Sequence, residues 1–74
     1  METSINYYIT CMSKYGDEFP VFVSNSNEEI LKQKSNNKGQ KNIFWFTKDI
    51  MTEVGEHIVI ENYIGARVSS KRIK

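Results

Sequence analysis

Lys41-Asn42-Ile43-Phe44-Trp45-Phe46-Thr47 is the stretch on which the fold turns. In an extended chain successive side chains point to opposite faces. Ile43, Trp45 and Thr47 therefore share one face, and Phe44 and Phe46 share the other. Large apolar groups on both faces predict a central strand covered on both sides. The architecture follows from asking what can cover it.

Upstream, residues 4–12 alternate in the same way. Ile5, Tyr7, Ile9 and Cys11 fall on one face; Asn6, Tyr8, Thr10 and Met12 fall on the other. Lys14 to Glu18 supplies turn chemistry around Gly16, and Phe19 to Ser24 reads as a second strand. Pro20 has no N–H to donate, which places it at a strand entrance or on an edge. These pieces form an N-terminal hairpin. Ser26 with Glu29 three residues on matches a capping box and starts a helix over residues 27–35. Asn36 to Gly39 ends it, with Gly39 as the left-handed cap. Ile30 and Leu31 are its only large apolar residues, so it covers little of a sheet.

Downstream, Ile50, Met51 and Val54 suit a helical turn stopped by Gly55. They suit slightly better a strand paired with residues 57–61 across a Gly55-Glu56 turn. His57 to Ile64 reads as a strand, Gly65-Ala66 as a bulge, and Arg67 to Ser70 as a resumption of the sheet. The fold class is α+β: a small antiparallel sheet, a ββα unit followed by two to three strands. One short helix cannot shield both faces. Either the sheet curls into a partial barrel or a second protein covers the open face.

A chain of 74 residues makes a single domain, 1–74, with a basic tail expected to be mobile from about residue 70. Cys11 is the one cysteine and His57 the one histidine, so neither an internal disulfide nor a Cys/His zinc site can form. Met1-Glu2-Thr3-Ser4 lacks the basic and apolar regions of a secretory signal, and the apolar runs are strand-sized. With a single thiol, this makes the cytoplasm the expected location, with no membrane role.

Catalysis finds little to work with. Cys11 shares a face with Ile5, Tyr7 and Ile9, where a cysteine behaves as a small apolar group. His57 reads as a surface residue at a strand entrance. Glu53, Glu56 and Glu61 lack metal-ligand spacing, and Lys38-Gly39-Gln40-Lys41 holds too little glycine for a P-loop. The expectation is no enzyme, no catalytic residue, no metal, no cofactor and no small-molecule substrate.

The net charge of +1 excludes a mimic of DNA, yet charge is uneven. Residues 1–31 hold one lysine against five acids, and residues 32–74 hold nine basic residues against four acids. Ala66 and Leu31 are the single alanine and leucine among abundant Ile, Asn and Lys, the bias of an AT-rich coding sequence and hence of a low-GC bacterium or a bacteriophage. Two functional expectations result. The first is a small non-enzymatic regulator that docks on a protein, its own copy or a host enzyme, as a phage or mobile-element accessory protein would. Its apolar anchors would be Tyr8, Met12, Phe22 and Trp45, with Lys38, Lys41 and Arg67 at a polar rim. The second is a nucleic-acid-binding module using Lys32, Lys34, Lys38, Lys41, Arg67, Lys71, Arg72 and Lys74.

Overall fold

The computed structural model describes residues 5–39 and 42–74. Five strands and one helix follow in the order β1 (Asn6–Ser13), β2 (Glu18–Ser24), α1 (Asn27–Asn36), β3 (Phe44–Thr47), β4 (His57–Tyr63) and β5 (Ala66–Arg72). They form one sheet of order β3-β2-β1-β5-β4 that curls into a nearly closed barrel. The small α+β class with a partial barrel holds.

The alternation in β1 sets the two faces. Ile9 and Cys11 point inward and meet Val21 and Phe19 of β2 across an antiparallel register. Val23, Ile58, Ile60, Tyr63 and Val68 complete the interior, with Tyr7, Phe44 and Phe46 packed against it. At one end of the barrel the rings of Phe19, Phe44 and Tyr63 meet with centroids 5.0 to 5.3 Å apart. This contact draws β3 and β4, the two sheet edges, towards each other.

β3 is not central. It is an edge strand, and it runs parallel to β2, Val21 beside Phe44 and Phe22 beside Trp45. A parallel neighbour needs a crossover, which α1 provides. The apolar residues on both faces of β3 have a different cause from centrality. Phe44 and Phe46 enter the barrel, while Trp45 lies on the outside beneath Lys34 of α1, whose ammonium is 5.8 Å from the ring centroid. Phe22 is also on the outer face yet only 2% exposed. Tyr8 and Trp45 flank it, at 4.9 and 5.7 Å. Pro20 precedes the first β2–β3 pair, so its missing N–H leaves no gap in that ladder.

The helix begins as its sequence implies: Ser26 Oγ accepts from the Glu29 amide at 3.3 Å. The reciprocal half of the box is replaced. Ser26 N–H donates to Ser24 Oγ at 3.0 Å, and the Glu29 carboxylate accepts from Gln33. At the other end the cap is Asn37, whose backbone and side-chain N–H groups both donate to the Gln33 carbonyl. Gly39, at φ 102°, only redirects the chain beyond it.

Residues 48–56 are neither helix nor strand. They form an irregular loop across the end of the barrel, and hydrogen bonds fix it. Thr52, 1% exposed, donates its N–H to Tyr7 Oη at 2.6 Å and accepts at its carbonyl from Arg72 Nη1. The Arg72 guanidinium lies 5.9 Å from the Tyr7 ring centroid. Lys48 pairs with Glu56, Lys48 N–H donates to the Ser24 carbonyl, and Gly55 N–H donates to the Arg72 carbonyl.

The basic end of the chain, read from the sequence as a tail, is placed in the sheet. Residues 70–72 belong to β5 and pair with Ser13, Met12 and Cys11 of β1. Beyond them Ile73 N–H donates to the Thr10 carbonyl, and Thr10 N–H donates to the Lys74 carbonyl. Two features make this so: Arg72 has an inward role, and β1 needs a second hydrogen-bonding neighbour.

β4 and β5 join as a hairpin rather than through a bulge at Gly65-Ala66. Tyr63 opposes Ala66 across the two turn residues Ile64 and Gly65, at φ 50° and 75°. The irregularity lies earlier, between Ile60 and Tyr63, where Asn62 takes φ 60°. Positive φ at both turn positions favours Asn-Gly, and a β-branched residue there is strained. Ile64 is 85% exposed, so replacing it sacrifices little packing. Ile64→Asn is therefore expected to raise the unfolding free energy by about 1 kcal/mol, as read from the urea midpoint.

Candidate functional site

The groups with chemical potential are kept apart by the sheet itself. Cys11 is fully buried on the inner face, opposite Arg72. His57 is exposed on the outer face in the row that contains Lys71. The two cannot form a nucleophile–base pair without crossing the sheet. Burial pushes the Cys11 thiol up to about 11, with the nearby Arg72 charge opposing the rise. Among the described residues no three His, Cys, Asp or Glu side chains gather as a metal-holding group. No helix among them is long and apolar enough to cross a membrane.

The partner-binding set read from the sequence does not form one patch. Phe22 is packed away and cannot anchor anything. Trp45 is half-buried, and Tyr8 is half-exposed, its hydroxyl accepting from Asn37 Nδ2 at 3.4 Å. Met12 stands four residues along β1 from Tyr8, opposite Glu18 on one side and Lys71 on the other. Lys38 is exposed just after α1, and Lys41 lies outside the described residues. Arg67 is engaged by Glu61 at 3.1 Å, with both side chains in solvent. Trp45 does line a groove of about 380 Å³ at the β3–β4 seam, with Lys34, Phe44, Glu61 and Asn62 around it.

The basic set is divided as well. Lys32, Lys34 and Lys38 stand on or just beyond α1, whereas Lys71 is on the outer face of β5. Arg72 leaves the set altogether. Its guanidinium turns inward to the Thr52 carbonyl, and its Nε donates to the Lys74 carbonyl at 3.0 Å.

What the residues do assemble is the surface of the 48–56 loop. Ile50, Met51 and Val54 are 60%, 59% and 65% exposed on a backbone held through Thr52. Asp49 and Glu53, both exposed, stand among them. The sequence pattern of these apolar residues suits a helical turn or, slightly better, a strand paired with residues 57–61, and the segment forms neither. The residue that goes inward is the polar Thr52, which reverses the usual pattern, so hydropathy gave no sign of it. The only local signal was that Asp49, Thr52 and Glu53 leave Ile50, Met51 and Val54 no uninterrupted apolar face.

The chain matches no protein-family model, no curated protein and no solved structure.

A thiol raised by burial stays protonated, and thiolate is the reactive form. Because its folded value lies above the ordinary value of 9.0, its contribution to stability is present below pH 9 and is lost as pH rises towards about 11. Near neutral pH, Cys11 should therefore react with an aromatic disulfide reagent only as fast as the fold opens. Labelling at the rate of a free thiol in native protein would contradict this burial.

Proposed function

We propose that this chain is a non-enzymatic binding module that docks on another protein through the loop 48–56. The observation that carries the reading is Ile50, Met51 and Val54, three large apolar side chains exposed within five positions on a pinned backbone. Scattered exposed apolar residues need no explanation, but a cluster presented by a fixed loop is what recognition surfaces use. The Lys48–Glu56 pair cancels its own charge, so Asp49 and Glu53 leave the rim acidic. The partner that fits is a different protein with an apolar surface bordered by Lys or Arg. That the partner is a host enzyme, and this chain a regulator from a phage or mobile element, is supported by amino-acid composition alone.

The side chains involved are exposed, so Ile50→Ser, Met51→Ser and Val54→Ser combined should leave the thermal midpoint nearly unchanged. Tagged wild type, this triple variant and a Lys32→Gln/Lys34→Gln control would be used to capture proteins from a nuclease-treated bacterial lysate. The expected result is one stoichiometric protein retained by wild type and control and lost by the triple variant. Once purified, it should bind the triple variant at least about tenfold more weakly. Equal retention by all three forms would sink the assignment. A dimer of this chain in solution that the triple variant abolishes would replace the foreign partner with a second copy.

A further inference from the structure

The outer face of β1, β5 and β4, away from α1, carries a shallow groove of about 340 Å³. Met12, Ser13, Lys14, His57, Ser69 and Lys71 line it. The register explains the convergence. Met12 sits beside Lys71 and Lys71 beside His57, one row across three strands. Among the described residues no carboxylate lines the groove; Glu18, opposite Met12 on β2, stands at its margin. The ion pairs among the described residues are Lys48–Glu56 and Arg67–Glu61, so neither Lys14 nor Lys71 is neutralised in one. Beside the groove Tyr15 is 63% exposed, with the Lys14 ammonium 5.2 Å from its ring centroid. Val59, 43% exposed and opposite Ser69, continues the apolar surface on the same face.

Unpaired cations, an exposed ring and an apolar floor on an open sheet are what a single-stranded nucleic acid needs: charges for the backbone and a flat surface for a base. We propose that this groove binds single-stranded nucleic acid, with phosphates at Lys14 and Lys71 and a base stacked on Tyr15. An acidic peptide would meet the lysines but has no base to offer the ring. A duplex would need an element to enter a groove, and none projects from this face. The helix lysines Lys32, Lys34 and Lys38 stand apart from this groove, on or just beyond α1. The site is separate from the 48–56 loop and does not depend on the reading given to it.

The test is fluorescence anisotropy of a fluorescein-labelled oligothymidylate against the whole chain across a salt series. Wild type should bind at low salt with affinity falling linearly on a log–log scale. Lys14→Gln and Lys71→Gln should each lower the slope by about 0.7, one phosphate contact on a single strand. Tyr15→Ala should weaken binding about fivefold or more while leaving the slope alone. All three residues are exposed, so thermal midpoints should match wild type; Lys14→Arg with Lys71→Arg should restore binding. The Ile50, Met51 and Val54 triple variant should bind as wild type does, which keeps this result distinct from the loop's. The proposal is overturned by no binding at low salt, or by Lys14→Gln and Lys71→Gln binding undiminished. Equal competition by polyglutamate would make the groove a protein site. Loss of binding only on changing Lys32, Lys34 and Lys38 would move the site to α1.

Discussion

The architecture depends on Arg72 being turned inward. Arg72 is half-buried at the end of a thin apolar interior, and a charge partly withdrawn from water needs acceptors. It finds the Thr52 carbonyl and the face of Tyr7, and in doing so adds a side-chain tie among three parts of the chain that backbone hydrogen bonds also join. The final strand is held against the first, and the long loop between β3 and β4 is held across the barrel end. Tyr7 completes the arrangement by accepting from the Thr52 amide. The polar triangle does at this end what the Phe19, Phe44 and Tyr63 rings do at the other.

Between these two closures the interior is small. Among the described residues nine buried ones form the central cluster, and several are valines or a cysteine rather than bulkier groups. Curling the sheet is the solution available to so short a chain, since one sheet face then buries itself and a single helix needs to cover only part of the other. That division of labour leaves two kinds of surface unclaimed: the far outer face of β1, β5 and β4, and the outside of the loop. Both functional readings come from those surfaces, one basic and shallow, the other acidic and apolar.

Much of the fold was legible because period-two alternation is a direct signal. The inward set of β1 and the hairpin with β2 followed from it, and the Ser26 cap followed from the three-residue spacing of Ser26 and Glu29. Three features were hidden. The parallel pairing of β3 depends on how α1 crosses over, and Ile43 to Thr47 looks the same whether an edge strand is covered by a barrel and a helix or a central strand by neighbours. Arg72 resembled a tail residue because its partner, Thr52, is twenty positions away in a segment without pattern. Ile50, Met51 and Val54 suit a helical turn or a hairpin strand by their spacing, but spacing does not record the direction in which a backbone pinned at Thr52 points them. Of the candidate anchors, Met12 was placed on a usable surface for a reason the sequence does not contain, the Met12–Lys71–His57 row made by strand register.

The pairing of β1 with β5 also bears on how the chain reaches this state. The β1–β2 and β4–β5 hairpins close short loops and can form early. Joining them means closing nearly the whole described chain, an entropic cost met before the rewarding contacts exist. Folding should thus be limited by the docking of two preformed hairpins, at rates typical of non-local β topologies rather than of helical bundles. Until that step β1 carries an unpaired edge, Thr10 to Ser13, available to any neighbouring chain. The same pairing that orders the finished sheet sets the interval during which this protein is most exposed to aggregation.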